Sequence, residues 1–330
     1  MTEKKEGYIL TSSPHLFSSS TTPKIMYTVL ATLLPVALIS VLLFGMKVLL
    51  LYAVSIATAV ATEAAVKAAR RKSIRSIYDG SAVITGLLLV MVVPPDLSPL
   101  FVALGAFVAI FIGKEVFGGL GANVFNPALV GRAFLSASYP VQMTSYSQPQ
   151  ALFPIAGGVD AAGGATPLAA ARFEGVVTPL KSLLLGQVGG SIGETCALLI
   201  IVGGLVLIAL KIVDWHLVLA YLGTVFLLTG LFYLIDPGTY PSPLFHLLSG
   251  ALMLGAFYMA SDMATSPYTP WGNVVFGVGA GLIVVVIRLF GGFPEGVMYS
   301  ILLMNAVTPL INRYTRPKTF GSPSGKGAVS

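Results

Sequence analysis

Apolar runs separated by polar breaks dominate this chain, and ten of them have the character of membrane spans. They cover residues 25–44, 48–66, 81–93, 97–117 and 125–138, then 196–212, 216–235, 246–260, 274–290 and 297–311. A helix needs about 20 mostly apolar residues to cross a hydrocarbon core about 30 Å thick. The third, fifth and eighth runs are short by that measure. Short runs interrupted by Gly and Pro predict broken helices that line a cavity at membrane depth. Five runs lie on each side of one long polar interval, 139–195. The pattern therefore predicts an all-α polytopic membrane protein of about ten transmembrane helices.

Composition agrees. Hydrophobic residues make up 55% of the 330 and charged residues only 10%, where a soluble domain carries roughly 25% charged. So few charges cannot cover a water-facing surface. That excludes a single-anchor protein, a dinucleotide-binding Rossmann enzyme and a disulfide scaffold. The single cysteine, Cys196, can build neither a disulfide nor a cysteine-ligated metal site within the chain. The first 23 residues are polar and end in no small-residue cleavage pattern, so no signal peptide is expected.

The net charge of +6 acquires meaning once the charges are placed. With ten spans both termini share a face, and 14 of the 19 Lys and Arg residues fall on it, against 5 opposite. Lys and Arg mark the cytoplasmic side, so both termini are expected in the cytoplasm and 139–195 outside. The basic run 67–75 reads as a topology anchor that meets anionic lipid, not as a nucleic-acid site.

The two halves echo one another. Gly80-Ser-Ala-Val-Ile-Thr-Gly86, Pro99 and Phe117-Gly118-Gly119 recur as Gly250-Ala-Leu-Met-Leu-Gly255, Pro267 and Phe290-Gly291-Gly292. An odd number of spans per repeat implies that the second unit inserts upside down, as in many transporters. The expected organisation is a cytoplasmic segment 1–24, a five-helix repeat 25–138, an outward loop 139–195, a second repeat 196–311 and a cytoplasmic tail 312–330.

Inside the outward interval stands Asp160-Ala-Ala-Gly163-Gly164-Ala165-Thr166-Pro167-Leu168. It presents one hydroxyl between glycines, which can conform to another protein's active site, and a proline that fixes the chain just after it. Taken alone it reads as an ordinary surface turn.

Three further stretches change that reading. They are Lys114-Glu-Val-Phe-Gly-Gly-Leu-Gly-Ala-Asn123-Val-Phe-Asn126-Pro127-Ala-Leu-Val-Gly-Arg132, the run from Ser249 to Pro267 that contains Asp262, and Arg288-Leu-Phe-Gly-Gly-Phe-Pro-Glu295 continuing to Asn305. With the threonine loop they lie in order over nearly the whole chain. The sequence resembles the NqrB/RnfD family, which comprises RnfD of the Rnf complex and NqrB of the sodium-pumping NADH:quinone reductase. That resemblance implies a ten-helix inverted repeat similar to urea transporters. It also implies FMN joined through its phosphate to a threonine in a pattern like Asp-x-x-Ser/Thr-Gly-Ala-Thr. Asp160, Gly164, Ala165 and Thr166 match, placing the flavin on Thr166; Gly163 departs from the usual hydroxyl residue.

The implied activity is electron transfer within a ferredoxin:NAD⁺ oxidoreductase that translocates Na⁺ or H⁺, in a bacterial or archaeal cytoplasmic membrane. The implied partners are RnfA, RnfB, RnfC, RnfE, RnfG and a flavin transferase, with a non-covalent riboflavin as a second cofactor to be tested. An NqrB-type role in the quinone reductase is one alternative, and a passive channel sharing the fold is another.

Other residues keep two readings each. Asn126, before Pro127, either opens a half-helix whose amides face an anion or simply starts a packed helix. Arg132 either holds a flavin phosphate or forms a structural ion pair. Asp79, Glu115, Asp236, Asp262 and Glu295 sit at span edges, where each reads first as a solvated interface residue; Asp79, Glu115 and Asp262 are the candidates for a cation path. His15, His216 and His246 read as interfacial. Gly277, Gly279 and Gly281 lie in an apolar span and read as helix packing.

Overall fold

A computed structural model of the chain describes residues 21–71, 74–147, 149, 165–194 and 196–317, with the backbone alone for 74–76. Asp160, Gly164 and His15 lie outside them. Among the described residues every regular element is helical. The first five helices are Thr22–Phe44 (α1), Met46–Ala69 (α2), Ser81–Met91 (α3), Pro99–Ile110 (α4) and Pro127–Ser138 (α5). Three short ones follow in the polar interval, Pro140–Met143 (α6), Pro167–Ala169 (α7) and Leu180–Leu185 (α8). The rest are Ala197–Ala209 (α9), Trp215–Ile235 (α10), Pro243–Leu248 (α11), Leu252–Leu254 (α12), Pro270–Phe290 (α13) and Val297–Tyr314 (α14). Single π turns prolong α4 (Phe111–Glu115), α7 (Ala170–Glu174) and α12 (Gly255–Met259).

All ten apolar runs fall on helix, yet among the described residues only α1, α2, α10 and α13 are long and apolar enough to cross a membrane by themselves. The run 246–260 is not one helix. It breaks at Ser249, whose backbone is extended, and at Gly250, whose φ of +70° suits glycine and strains other residues. The helix α3 is buried on nearly every side and serves as core rather than lipid-facing wall. Exposed leucines such as Leu38, Leu42, Leu227 and Leu234 form the outer apolar surface instead. Their exposure is what a polytopic membrane protein requires of its lipid face.

The echo in the sequence has a partial counterpart in the structure: Pro99 begins α4, whereas Pro267 precedes α13, which begins at Pro270. Gly80 (φ +83°) opens α3 as Gly250 precedes α12, and prolines take the first position of α4 and of α13. α4 packs on α2 and α5, as α13 packs on α10 and α14. The α10–α13 contact is close because Gly277 and Gly281 face the backbone of Leu217 and Tyr221; a Cβ at either would lie within 3 Å of it. The expected packing role of those glycines holds. Between the halves, the Asn126 amide N–H donates to Asn305 Oδ1 and its Nδ2 to the Met259 carbonyl, at 3.2 Å each.

Candidate functional site

Thr166 caps α7. Its backbone is extended, its Oγ accepts from the Ala169 amide at 3.3 Å, and Pro167 takes the first helical position, where a missing N–H costs nothing. The interval read from sequence as a loop is therefore partly helical at this point. Capping chemistry, which apolar periodicity does not report, is the reason. Two anchors hold the short helix. Leu168 packs with Leu183 of α8 and Phe245 of α11. Arg172 donates to the C-terminal carbonyls of α13 at Ile287 (3.2 Å), which also accepts from the Gly291 amide, and at Arg288 (2.6 Å).

Beside Thr166 lies a cavity of about 270 Å³, bordered by α5, α6, α7 and the start of α14. Its walls include Met143, Phe293, Pro294, Met298 and Tyr299, a lining suited to a flat aromatic ring. Arg132, Glu194, Glu295 and Tyr146 bring charge and hydrogen-bonding capacity to the same space. Arg132 is ion-paired with Glu295, whose other oxygen accepts from the Ala251 amide at 3.1 Å. Burial acts to raise Glu295, but Arg132 beside it prevails and holds its carboxyl below the ordinary value. At Glu194 burial prevails and pushes the carboxyl up to about 8; Glu295 adds to the rise, while Arg132 and Ser191 oppose it. Burial likewise raises the Tyr146 phenol.

A second, smaller cavity of about 90 Å³ is lined by Ser81, Lys114, Asn123, Asn126 and Asp262. Behind it runs a buried polar chain. Lys114 donates to Glu63 Oε2 at 2.7 Å and to Ser81 Oγ at 2.6 Å, Ser81 donates to Asp79, and Lys67 pairs with the other oxygen of Glu63. Glu115 meets Arg70 at 3.8 Å, and its Oε1 has no hydrogen-bond partner among the described residues.

The structure thus brings Thr166, Ala165 and Arg132 to one cavity. Of the two readings of Arg132, the ion pair is the one present. Asn126 lines the other cavity, where it starts a packed helix and ties the two halves. Asp262 lines that cavity too, Asp79 reaches it through Ser81, and Glu115 adjoins it through Lys114. His246, read as interfacial, is buried at 4% exposure beneath Phe245, because the break at Ser249 turns α11 inward. Its own carbonyl accepts from Arg288.

Sequence reasoning passes over two acidic residues. Glu63 is fully buried within an apolar run, and the cost of burying a charge marks it more sharply than any residue at a span edge. Glu194 lies in the polar interval, where no local signal separates it from solvated neighbours.

A family model described as "NQR2, RnfD, RnfE family" matches residues 9–321. The chain is 45% identical over 329 residues to a subunit of the proton-translocating ferredoxin:NAD(+) oxidoreductase complex of Clostridium ljungdahlii, covering 97% of this chain and 98% of the relative. It is 41% identical over 317 residues to a subunit of the Na(+)-translocating ferredoxin:NAD(+) oxidoreductase complex of Acetobacterium woodii, covering 94% and 95%. It is 40% identical over 339 residues to a subunit of the ion-translocating oxidoreductase complex of Stutzerimonas stutzeri, covering 94% and 96%. All three relatives bear the same letter, D, among the subunits of their complexes.

Proposed function

The chain belongs to the NQR2, RnfD, RnfE family, and on that premise we propose that it is the membrane electron-transfer subunit of an Rnf-type complex, carrying FMN on Thr166. The observation that carries this reading is the placement of the Thr166 hydroxyl at a cavity with apolar and aromatic walls and one arginine in its lining. Bound there, the isoalloxazine would supply one- and two-electron transfer.

Each residue at the cavity has a part compatible with that group. Thr166 Oγ takes the phosphate as an ester delivered by a flavin transferase. An ester oxygen keeps a lone pair for the Ala169 amide, so the cap survives attachment. Pro167 and Arg172 fix where the tether starts, and a flavin attached there would be kept at high effective concentration near the cavity. Arg132, oriented by Glu295, lines the cavity and would favour negative charge on a flavin held there. Asp160 and Gly164 belong to the transferase's recognition pattern.

The complex proposed passes electrons from reduced ferredoxin to NAD⁺ and couples them to translocation of Na⁺ or H⁺. Relatives named for each cation stand at 41% and 45% identity. Its other subunits are RnfA, RnfB, RnfC, RnfE and RnfG, with a non-covalent riboflavin as a further cofactor. The proposed setting is a bacterial or archaeal cytoplasmic membrane, with the termini inside and Thr166 outside. Asp79, Glu115 and Asp262, grouped about the smaller cavity, are the proposed cation path.

Coexpression with a flavin transferase, followed by a denaturing gel viewed under ultraviolet light, tests the reading. A fluorescent band that Thr166→Ala abolishes is expected. A band that never fluoresces would leave a channel or transporter of the same fold.

A further inference from the structure

The cavity beside Thr166 holds more acid than its arginine answers. Arg132 carries one positive charge, and Glu295 already takes it. Glu194, on the 3₁₀ turn Ile192–Glu194, lines the same space and has no ion-pair partner among the described residues. Its position is built in. The Ile192 amide donates to the Val93 carbonyl at 3.1 Å, and Gly193 lies so close to Met91 that a Cβ there would come within 2.7 Å of the Met91 carbonyl. At Gly190 a Cβ would fall 2.5 Å from Glu194 Oε2, so that glycine leaves room for the carboxyl.

The charged and titratable groups facing Glu194 are Arg132 from α5, Glu295 before α14, Arg288 from α13 and Tyr146 after α6, with Ser191 adjoining. Water has a way in, because Thr144 and Ala165 on the cavity wall are exposed.

We propose that Glu194 is the redox-linked proton acceptor of the flavin on Thr166, an inference that rests on the reading above. When two electrons arrive from a reduced iron–sulfur or flavin donor of the complex, one proton from water adds to a Glu194 carboxylate oxygen and an O–H bond forms. When the electrons leave for the next acceptor, that bond breaks and the proton returns to water. The physical cause is charge compensation. Arg132 already answers Glu295 and Arg288 is bound to the carbonyls of His246 and Ser249, so negative charge added to the cavity stabilises the protonated form of the nearest carboxyl that lacks an ion-pair partner. Because burial already holds this carboxyl near 8, the exchange falls where the oxidised site has lost its proton and the reduced site regains it.

The test uses the full-length chain, flavinylated by coexpression and purified in detergent. Its flavin midpoint potential is measured against pH for the wild type, Glu194→Gln and Glu194→Asp. Above about 8 the wild-type slope steepens by about 30 mV per pH unit, one proton for two electrons. Glu194→Gln loses that break, whereas Glu194→Asp keeps one, displaced in pH. Gel fluorescence of all three reports attachment separately. Bright bands with the same slope in wild type and Glu194→Gln would overturn the inference and leave the flavin reading standing. A dark wild-type band would remove the flavin reading and this inference with it. A second readout needs no flavin. In Thr166→Ala protein, the infrared carbonyl stretch of a protonated carboxyl should titrate near 8 and vanish on adding Glu194→Gln. Its persistence in the double variant would contradict the assignment.

Discussion

Two buried charge clusters among the described residues are built on opposite plans. In the first half, Glu63 is shared between Lys67 and Lys114, and Lys114 spends a further hydrogen bond on Ser81. Both oxygens of Glu63 are answered, so the cluster is saturated. At the Thr166 cavity, Arg132 and Glu295 close on each other, while Glu194 faces the same space with hydrogen bonds from Ser191 and no ion-pair partner among the described residues. The saturated cluster makes packing depend on charge. The unbalanced one leaves a proton free to respond to whatever charge enters the cavity. Burial alone therefore does not mark function; a buried carboxyl with no counter-charge of its own beside an accessible cavity does.

The largest effect that separates the two clusters is expected from Glu63→Ala. It strands two buried ammonium groups, and breaking a buried pair costs about 3–5 kcal/mol. Thermal unfolding in detergent should show the loss, while flavin fluorescence on the gel should be unchanged. A variant as stable as the wild type would mean that water already reaches Lys67 and Lys114.

Next comes Glu295→Gln. It removes a charge-assisted bond to Arg132, at a cost of about 1.5–3 kcal/mol. It also frees Arg132 to act on Glu194 and removes a like charge, so the Glu194 carboxyl falls from about 8. The break in potential against pH should move to lower pH. An unmoved break would show that Glu295 and Glu194 do not sense each other.

The smallest effect is on stability against pH. Glu194 is raised in the folded chain from 4.5 to about 8, so the folded state binds the extra proton between those values. Its contribution is complete below 4.5 and is lost as pH rises through about 8. Glu295, held low, acts in the opposite sense: its contribution is lost as pH falls through its depressed value. Wild-type unfolding temperature should therefore decline across that upper window more than that of Glu194→Gln. Equal declines would place Glu194 in solvent.

Much of the fold is legible in the sequence because the bilayer imposes a coarse rule, apolar runs as helices, that needs no knowledge of packing. All ten runs are helical, and the glycines of 277–281 pack as their spacing implies. What the runs do not show is where a helix breaks. The interruption at Ser249 and Gly250, which buries His246, depends on a backbone angle rather than on hydropathy. The site was half legible. Thr166 and Arg132 lie in recognisable motifs and reach one cavity. Glu194 comes from a third segment with no pattern of its own, so only the fold brings it to them.

The central claim concerns the Thr166 side chain. Peptide mass spectrometry of the subunit isolated from its active complex tests it most directly. The account predicts that the peptide containing Thr166 carries FMN as a phosphoester and that Thr166→Ala lacks it. An unmodified Thr166 in a fully active complex would contradict the account.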